Sequence, residues 1–99
     1  MIFAWDEKKN LANMRKHGIS FELAARVFDD PLAISYLDSI SDGEERWHTI
    51  GSIQGIVIVL VVHTFQEQND AESPSAEEFR IISARKASKR ERAAYESGF

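Results

Sequence analysis

A basic run near the end of the chain carries the clearest chemical signal in the sequence. It follows an apolar stretch at residues 79–84, and its cations are Arg85, Lys86, Lys89, Arg90 and Arg92. Ser88 and Glu91 have the spacing of a capping box, in which the two side chains satisfy backbone N–H groups at the first turn of a helix. We therefore predict a strand followed by a helix that begins at Ser88.

The start of this helix is an unfavourable place for cations. Lys89 and Arg90 would lie in the first turn, where the helix dipole disfavours each positive charge by about 0.3–1 kcal/mol. A bound anion would relieve the conflict, because the free N–H groups at a helix start accept phosphate. Charge runs are more often solvated faces paired with acidic neighbours. The predicted position of Arg85, at the end of a buried strand, favours a phosphate site.

Histidines and acidic residues supply further candidate groups. His17, His48 and His63 do not have the spacing of metal ligands, and the sequence contains no Cys and no glycine-rich phosphate loop. We therefore expect no metal and no cofactor. His17 at a helix end and His63 at a strand end also have ordinary structural explanations.

The remaining set of Arg, Lys, His and Glu suits metal-free RNA cleavage, in which the 2′-hydroxyl attacks the adjacent phosphate. Cations stabilise the developing negative charge, and a His, Glu or Lys moves the protons. The same set suits a non-catalytic binding module whose basic helix docks RNA or an acidic protein. The residues alone leave both functions open.

Charge is divided unevenly along the chain. The net charge of -4 is the sum of +2 in residues 1–18, -10 in residues 19–79 and +4 in residues 80–99. A polyanion could approach a surface built from both ends, whereas the acidic middle would repel the polyanion or engage a basic partner protein. The 99 residues, 43% of them hydrophobic, fit one domain over residues 1–99. Without Cys, a signal peptide or a long apolar run, we expect a cytoplasmic protein.

Caps and periodicity predict the elements that position these groups. Residues 2–5 fit a short strand, and Asp6 and Gly18 bound a first helix at 7–17, with Leu11 and Met14 facing the core. Ser20 caps a second helix, from Phe21 to about Phe28. Because the connection between these helices is very short, we predict a helical hairpin.

After Leu32 the pattern becomes that of strands. We predict strands at 33–37, 45–51, 56–64 and 79–84, with an acidic loop from Gln66 to Glu78. The run at 56–62 is apolar on both faces, which predicts a central strand. Alternation places Arg46 and His48 on one face of their strand and Glu45 on the other. The prediction is an α+β fold, with a twisted, mainly antiparallel sheet, the hairpin and a C-terminal helix.

Over nearly its whole length the sequence resembles the BrnT toxin family. The resemblance lies in Trp5-Asp6-Glu7-Lys8 with Asn13, Lys16-His17-Gly18-Ile19-Ser20-Phe21-Glu22, Phe28-Asp29-Asp30-Pro31, Glu45-Arg46 before Ile50-Gly51, and Arg80-Ile81-Ile82-Ser83-Ala84-Arg85-Lys86-Ala87 with Glu91-Arg92 and Tyr95. It implies a RelE-like ribonuclease toxin of a type II toxin-antitoxin pair, which cleaves RNA to arrest translation and growth. It also implies a DNA-binding BrnA-type antitoxin that represses the operon and neutralises the toxin, in what we expect to be a heterotetramer.

The resemblance also suggests which residues act. The family's sensitive basic positions fall on Arg85 and Lys89, with Arg46 and the pair Lys16-His17 as further candidates. Lys89 stands where the family has an arginine. The lysine keeps the positive charge but loses the bidentate guanidinium. Our candidate catalytic residues are Arg46, Arg85, Lys89, His17, Glu45 and His63. Our candidate RNA-binding residues are Lys16, Lys86, Arg90 and Arg92.

Overall fold

A mixed sheet with helices on both faces forms the scaffold. The computed structural model describes residues 1–68 and 76–98, and the five strands and the helices named below belong to these ranges. In chain order the elements are β1 (Ile2–Ala4), α1 (Glu7–His17), α2 (Phe21–Ala24), a 3₁₀ helix (Ala25–Asp29), β2 (Ile34–Ser41), β3 (Glu44–Ile53), β4 (Val57–Gln68), β5 (Ala76–Lys86) and α3 (Lys89–Ser97). The predicted α+β class is confirmed.

The strands lie in the order β1-β5-β4-β3-β2. β1 pairs with β5 in parallel, and the other neighbouring strands are antiparallel. β4 is therefore central, as its apolar residues predict. Its alternate residues enter two cores: Val59 and Val61 pack with residues of α2 and the 3₁₀ helix, and Leu60 packs on the face that carries Tyr95 of α3.

α1 begins and ends at the predicted caps, but a polar residue fixes it to the sheet. Asn13 is the buried residue of α1, whereas Leu11 and Met14 are exposed, so the predicted core stripe is wrong. The Asn13 amide donates to the carbonyls of Ile19 and Ala84, at 2.8 Å each, and its oxygen accepts the N–H of Ala84 at 3.1 Å. These bonds satisfy the buried amide, so burying it costs little.

The predicted second helix is an α turn, Phe21–Ala24, that continues as the 3₁₀ helix Ala25–Asp29. Ser20 caps it by accepting the N–H of Leu23 at 3.0 Å. The 3₁₀ helix packs on β3, whereas α1 packs on β5. The predicted helical hairpin is therefore not confirmed.

Gly51 allows the 3₁₀ helix to lie directly on β3. A Cβ atom at this position would be 2.8 Å from Cγ1 of Val27, 3.1 Å from the Val27 carbonyl oxygen and 3.1 Å from Cβ of Ala33. These separations are shorter than van der Waals contact, so the close approach requires glycine.

β4 and β5 extend beyond their predicted ends. Their pairing runs from Val59 with Lys86 to Gln68 with Ala76, so the predicted loop from Gln66 to Glu78 is wrong at both ends. Backbone pairing can continue through polar residues because the ladder uses main-chain groups. The rest of that prediction, residues 69–75, lies outside the described residues. In the described ranges, no helix is long and apolar enough to span a membrane.

Candidate functional site

Several of the predicted residues lie on the face of the sheet that carries α3. Ile50, Leu60 and Arg85 are register partners across β3, β4 and β5, and His48 on the same face pairs with Tyr36 of β2. Alternation along β3 places Arg46 on this face as well. Arg46 is nevertheless roughly 13 Å along the strands and roughly 10 Å across them from Arg85, by standard strand geometry. The two arginines thus lie at opposite ends of an extended surface.

Arg85 is held by Glu91 of α3 in a bidentate ion pair. The two guanidinium nitrogens donate to the two carboxylate oxygens at 2.7 and 2.8 Å. The Arg85 hydrogen bond lowers the pKa of Glu91 to about 2, and the bond to Glu91 raises the pKa of Arg85. Both groups are therefore charged at neutral pH.

Glu91 also supplies the anion that the helix start requires. Its Oε1 accepts the N–H of Ser88 at 2.8 Å, and the Ser88 hydroxyl accepts the N–H of Glu91 at 3.2 Å, which confirms the predicted capping box. The charge conflict at Lys89 and Arg90 is thus relieved within the protein. Both cations are exposed, as is Arg92, whose guanidinium donates to the Ala87 carbonyl at 3.2 Å.

A cavity of about 360 Å³ opens beside this pair, lined by Tyr36, Ile50, Ser88, Arg90, Glu91 and Ala94. Burial raises the pKa of Tyr36 most, and the negative charges of Glu91 and Asp38 raise it further. The Tyr36 phenol is therefore protonated at neutral pH. The Tyr36 hydroxyl is 3.1 Å from Nδ1 of His48, and Nε2 of His48 is 3.5 Å from Oδ2 of Asp38.

Sequence reasoning missed this connected set of Tyr36, His48 and Asp38. The available signal was the alternation that puts His48 on the face of Arg46, together with the i, i+2 spacing of Tyr36 and Asp38 in β2. A register shift between Leu37 and Ser39 brings the two strands into their observed alignment. A sequence pattern does not reveal such a shift.

Arg46 lies at the far end of this face. Its guanidinium is 3.8 Å from Oε1 of Glu44, and its Nε is buried without a hydrogen-bond partner among the described residues. Its side chain is partly exposed. The guanidinium tip is therefore accessible to an anion on this face.

His63 lies on the opposite face, and only 3% of its surface is exposed. Its Nδ1 donates to the Thr64 carbonyl at 3.1 Å, so Nε2 accepts the Thr49 hydroxyl at 2.7 Å. Burial lowers the pKa of His63, and its ring packs against Phe28 and Phe79. These contacts fit the structural interpretation of this histidine.

The other predicted residues also lie away from the cavity beside Arg85. Lys16 and His17 line a separate cavity of about 230 Å³ between α1 and β5. Glu45 and Lys86 alternate with Arg46 and Arg85, so their side chains leave the opposite face of the sheet. Within the described residues, no group of three His, Cys, Asp or Glu side chains is placed to hold a metal ion.

Together these features define a small α+β protein whose basic helix lies over a mainly antiparallel sheet. Residues 5–91 match the family model described as "Ribonuclease toxin, BrnT, of type II toxin-antitoxin system". The chain belongs to the BrnT family of ribonuclease toxins, whose type II systems pair the toxin with a protein antitoxin.

A solved structure shares the fold. The 1.1 Å crystal structure of the Brucella abortus ribonuclease toxin BrnT matches with a TM-score of 0.62 and 24% sequence identity, covering 90% of this chain and 100% of that chain. No curated protein matches the sequence.

Proposed function

We propose that the protein is a metal-independent, RelE-like endoribonuclease that cleaves RNA and so arrests translation and growth. The observation that carries this proposal is the Arg85–Glu91 pair beside a cavity, next to the exposed cations at the start of α3. The family's ribonuclease description supports it. The site combines a fixed guanidinium with exposed positive charges, as a phosphodiester substrate requires.

The proposed reaction is an internal transfer of the phosphoryl group. The 2′-hydroxyl attacks the adjacent phosphorus, the bond to the 5′-oxygen breaks, and the products are a 2′,3′-cyclic phosphate and a 5′-hydroxyl. A base takes the 2′-proton, and an acid protonates the departing 5′-oxygen. Arg85 and Lys89 stabilise the charge on the phosphate, while Arg90 and Arg92 bind the RNA backbone.

His48 is our candidate for proton transfer on this face. Its ring nitrogens contact the Tyr36 hydroxyl and the Asp38 carboxylate, and Tyr36 lines the cavity beside Arg85. A histidine can exchange protons near neutral pH, and a carboxylate partner orients its ring. Arg46, on the same face, would bind the RNA strand that leaves the cavity. Glu45, His63 and Lys86 receive no role in this site, because their side chains lie on the other face of the sheet. Lys16 and His17 receive none because they line the separate cavity between α1 and β5.

For the partner, we propose a DNA-binding BrnA-type antitoxin that forms a heterotetramer with the toxin in the cytoplasm. A cell must keep the cations at the start of α3 covered until the toxin is needed. Acidic antitoxin side chains can take the place of phosphates there. Charge complementarity of this kind speeds association and makes it sensitive to salt.

The test compares Arg85→Ala with Arg15→Ala, which removes an exposed arginine from α1. Purified wild-type protein should cleave RNA in the presence of EDTA, and its expression should arrest growth. Arg85→Ala should cleave roughly 100-fold more slowly, the usual cost of losing a group that stabilises transition-state charge. Arg15→Ala should cleave like the wild type. If the wild type neither cleaves RNA nor arrests growth, and Arg85→Ala behaves identically, the protein is a non-catalytic binding module.

A further inference from the structure

The sheet divides into two arms at the end where β3 and β4 part. The pairing of β3 with β4 runs from Ile53 and Val57 to Trp47 and His63. Beyond Trp47, β3 continues to pair with β2 as far as Glu44, while β4 continues to pair with β5 as far as Gln68. The two hairpins therefore separate at Trp47.

An apolar groove lies at this division. It is a cavity of about 230 Å³ lined by Ser35, Trp47, His63, Phe65 and Phe79, and we call it the aromatic groove. Phe65 is 44% exposed, although its ring packs against Phe79 with centroids 5.2 Å apart. An aromatic ring this open to water beside a cavity is a typical anchor for a partner.

Exposed aliphatic residues extend the groove across the edge strand. Leu37 of β2 is the register partner of Trp47 and is 42% exposed, and Ile40, the partner of Glu45, is 66% exposed. Both lie on the same face as Trp47, because register partners share a face. Single exposed apolar residues are ordinary, but a continuous set of them marks an interaction surface.

Two carboxylates flank this surface. Glu45 precedes Trp47 by two residues and Glu77 precedes Phe79 by two, so alternation places both on the face of the groove. Both are exposed, and neither has an ion pair with another described residue. This charge repels RNA and attracts a segment that carries cations beside apolar side chains.

We propose that the aromatic groove anchors the antitoxin, which places an apolar, positively charged segment there. The inference rests on the proposed pairing with an antitoxin and adds where that antitoxin binds. The groove lies on the face opposite Arg85, and β2 is the edge strand between the two faces. A segment anchored in the groove can thus pass around β2 and reach the cations at the start of α3.

The experiment measures binding of the product of the neighbouring open reading frame, by titration calorimetry, to the variant Phe65→Ser/Glu77→Arg. Binding should weaken about tenfold or more, as for the loss of a central aromatic anchor. The rate of RNA cleavage should not change, which also shows that the variant is folded. The matched control is Ile56→Ser/Glu22→Arg, which alters an 80% exposed apolar residue and an exposed carboxylate elsewhere. It should bind like the wild type. If Phe65→Ser/Glu77→Arg does not fold, Glu77→Arg alone must still weaken antitoxin binding and make that binding less dependent on salt.

Other outcomes would overturn the inference. Wild-type affinity in Phe65→Ser/Glu77→Arg, with cleavage intact, would reject the groove as the anchor while the ribonuclease function stands. Equal weakening by the control variant would do the same. Loss of cleavage by the folded double variant would make the groove part of the RNA site. A toxin dimer that sedimentation detects in the wild type and not in the variant would identify a second copy of this chain as the occupant. If wild-type toxin does not bind the neighbouring gene product, the proposed pairing itself fails.

Discussion

One carboxylate joins the fold to the candidate site. Glu91 closes the first turn of α3, places a negative charge there and fixes both terminal guanidinium nitrogens of Arg85. A bidentate pair sets the plane of the guanidinium as well as its position. A phosphate that approaches α3 therefore meets a preoriented arginine rather than a freely rotating one.

The same pair should make stability depend on pH in the acid range. Because the pKa of Glu91 is lowered from 4.5 to about 2, its ionised form favours the folded state. This contribution is fully present above pH 4.5 and is lost as the pH falls to about 2. The shift corresponds to roughly 1–2 kcal/mol, after allowance for solvent screening at the partly exposed Arg85.

Glu91→Gln should therefore lower the free energy of unfolding by that amount at pH 7. It should also show a weaker loss of stability than the wild type between pH 4.5 and about 2. Urea unfolding at several pH values checks both. The control is Glu96→Gln, which alters an exposed carboxylate of the same helix. Parallel acid curves for wild type and Glu91→Gln would contradict the assignment.

Among the elements, the 3₁₀ helix is linked through Asp30 to β3 and to α3, which lies on the other face of the sheet. Asp30, directly after it, accepts the N–H of Ser52 at 2.8 Å and the hydroxyl of Tyr95 at 2.6 Å. Burial alone would raise the pKa of Asp30, but the hydrogen bonds from Ser52, Tyr95 and Leu32 together lower it. This carboxylate links the 3₁₀ helix to β3 and to α3, and so helps to hold α3 over the site.

The packing of the 3₁₀ helix on β3 should be sensitive to a single methyl group added at Gly51. Gly51→Ala places a Cβ within 2.8 Å of Val27 Cγ1, and the nearby Val27 carbonyl limits relaxation. We expect a loss of about 1–3 kcal/mol, as for other overpacked core positions. The measurement is denaturant unfolding of the single variants and of Val27→Ala/Gly51→Ala. Because Val27→Ala removes the clashing atom, its own cost should be smaller in the Gly51→Ala background. Strictly additive costs would show that the contact does not cause the loss.

Local chemistry explains which elements the sequence could predict. The caps Asp6, Gly18 and Ser88 act within one turn, so α1 and the start of α3 were predictable. The buried Asn13 was not, because its partners at Ile19 and Ala84 meet it only in the tertiary structure. The outer ends of β4 and β5 were missed for a related reason, since their polar side chains hide a continuous backbone ladder.

For the candidate site, the sequence identified single residues better than their partners. Arg85 and Glu91 were both recognised, but Glu91 only as a cap, because helix rules do not reach across to the preceding strand. The contact between Tyr36 and His48 depends on the alignment of β2 with β3, which a register shift sets. A basic run is visible in sequence, whereas the face to which each cation points is a property of the assembled sheet.

In the whole molecule, the charges separate by face in a way that the sequence did not predict. The cations of α1 were expected to join those of α3 in one basic surface. α1 instead bonds to the open edge of β5 and lines a separate cavity there, while Lys89, Arg90 and Arg92 are exposed on α3. The acidic residues Glu45 and Glu77 flank the aromatic groove. An antitoxin of mixed charge can therefore use both faces at once.

Charge reversal at the start of α3 tests whether inhibition works by covering the basic surface. Lys89→Glu/Arg92→Glu should reduce RNA cleavage and antitoxin binding together, because RNA phosphates and acidic antitoxin groups need the same cations. The helix should persist, since an acidic residue in the first turn is favoured by the dipole by about 0.3–1 kcal/mol. Lys8→Glu/Arg15→Glu makes the same change of net charge on α1 and should leave both activities near the wild-type level. Cleavage assays and calorimetry at low and moderate salt provide the measurements.

If Lys89→Glu/Arg92→Glu cleaves poorly but binds the antitoxin with unchanged affinity and salt dependence, the antitoxin does not cover α3. Only Phe65→Ser/Glu77→Arg is expected to lose antitoxin binding while it keeps RNA cleavage, because its residues lie in the aromatic groove, away from the cations that bind RNA.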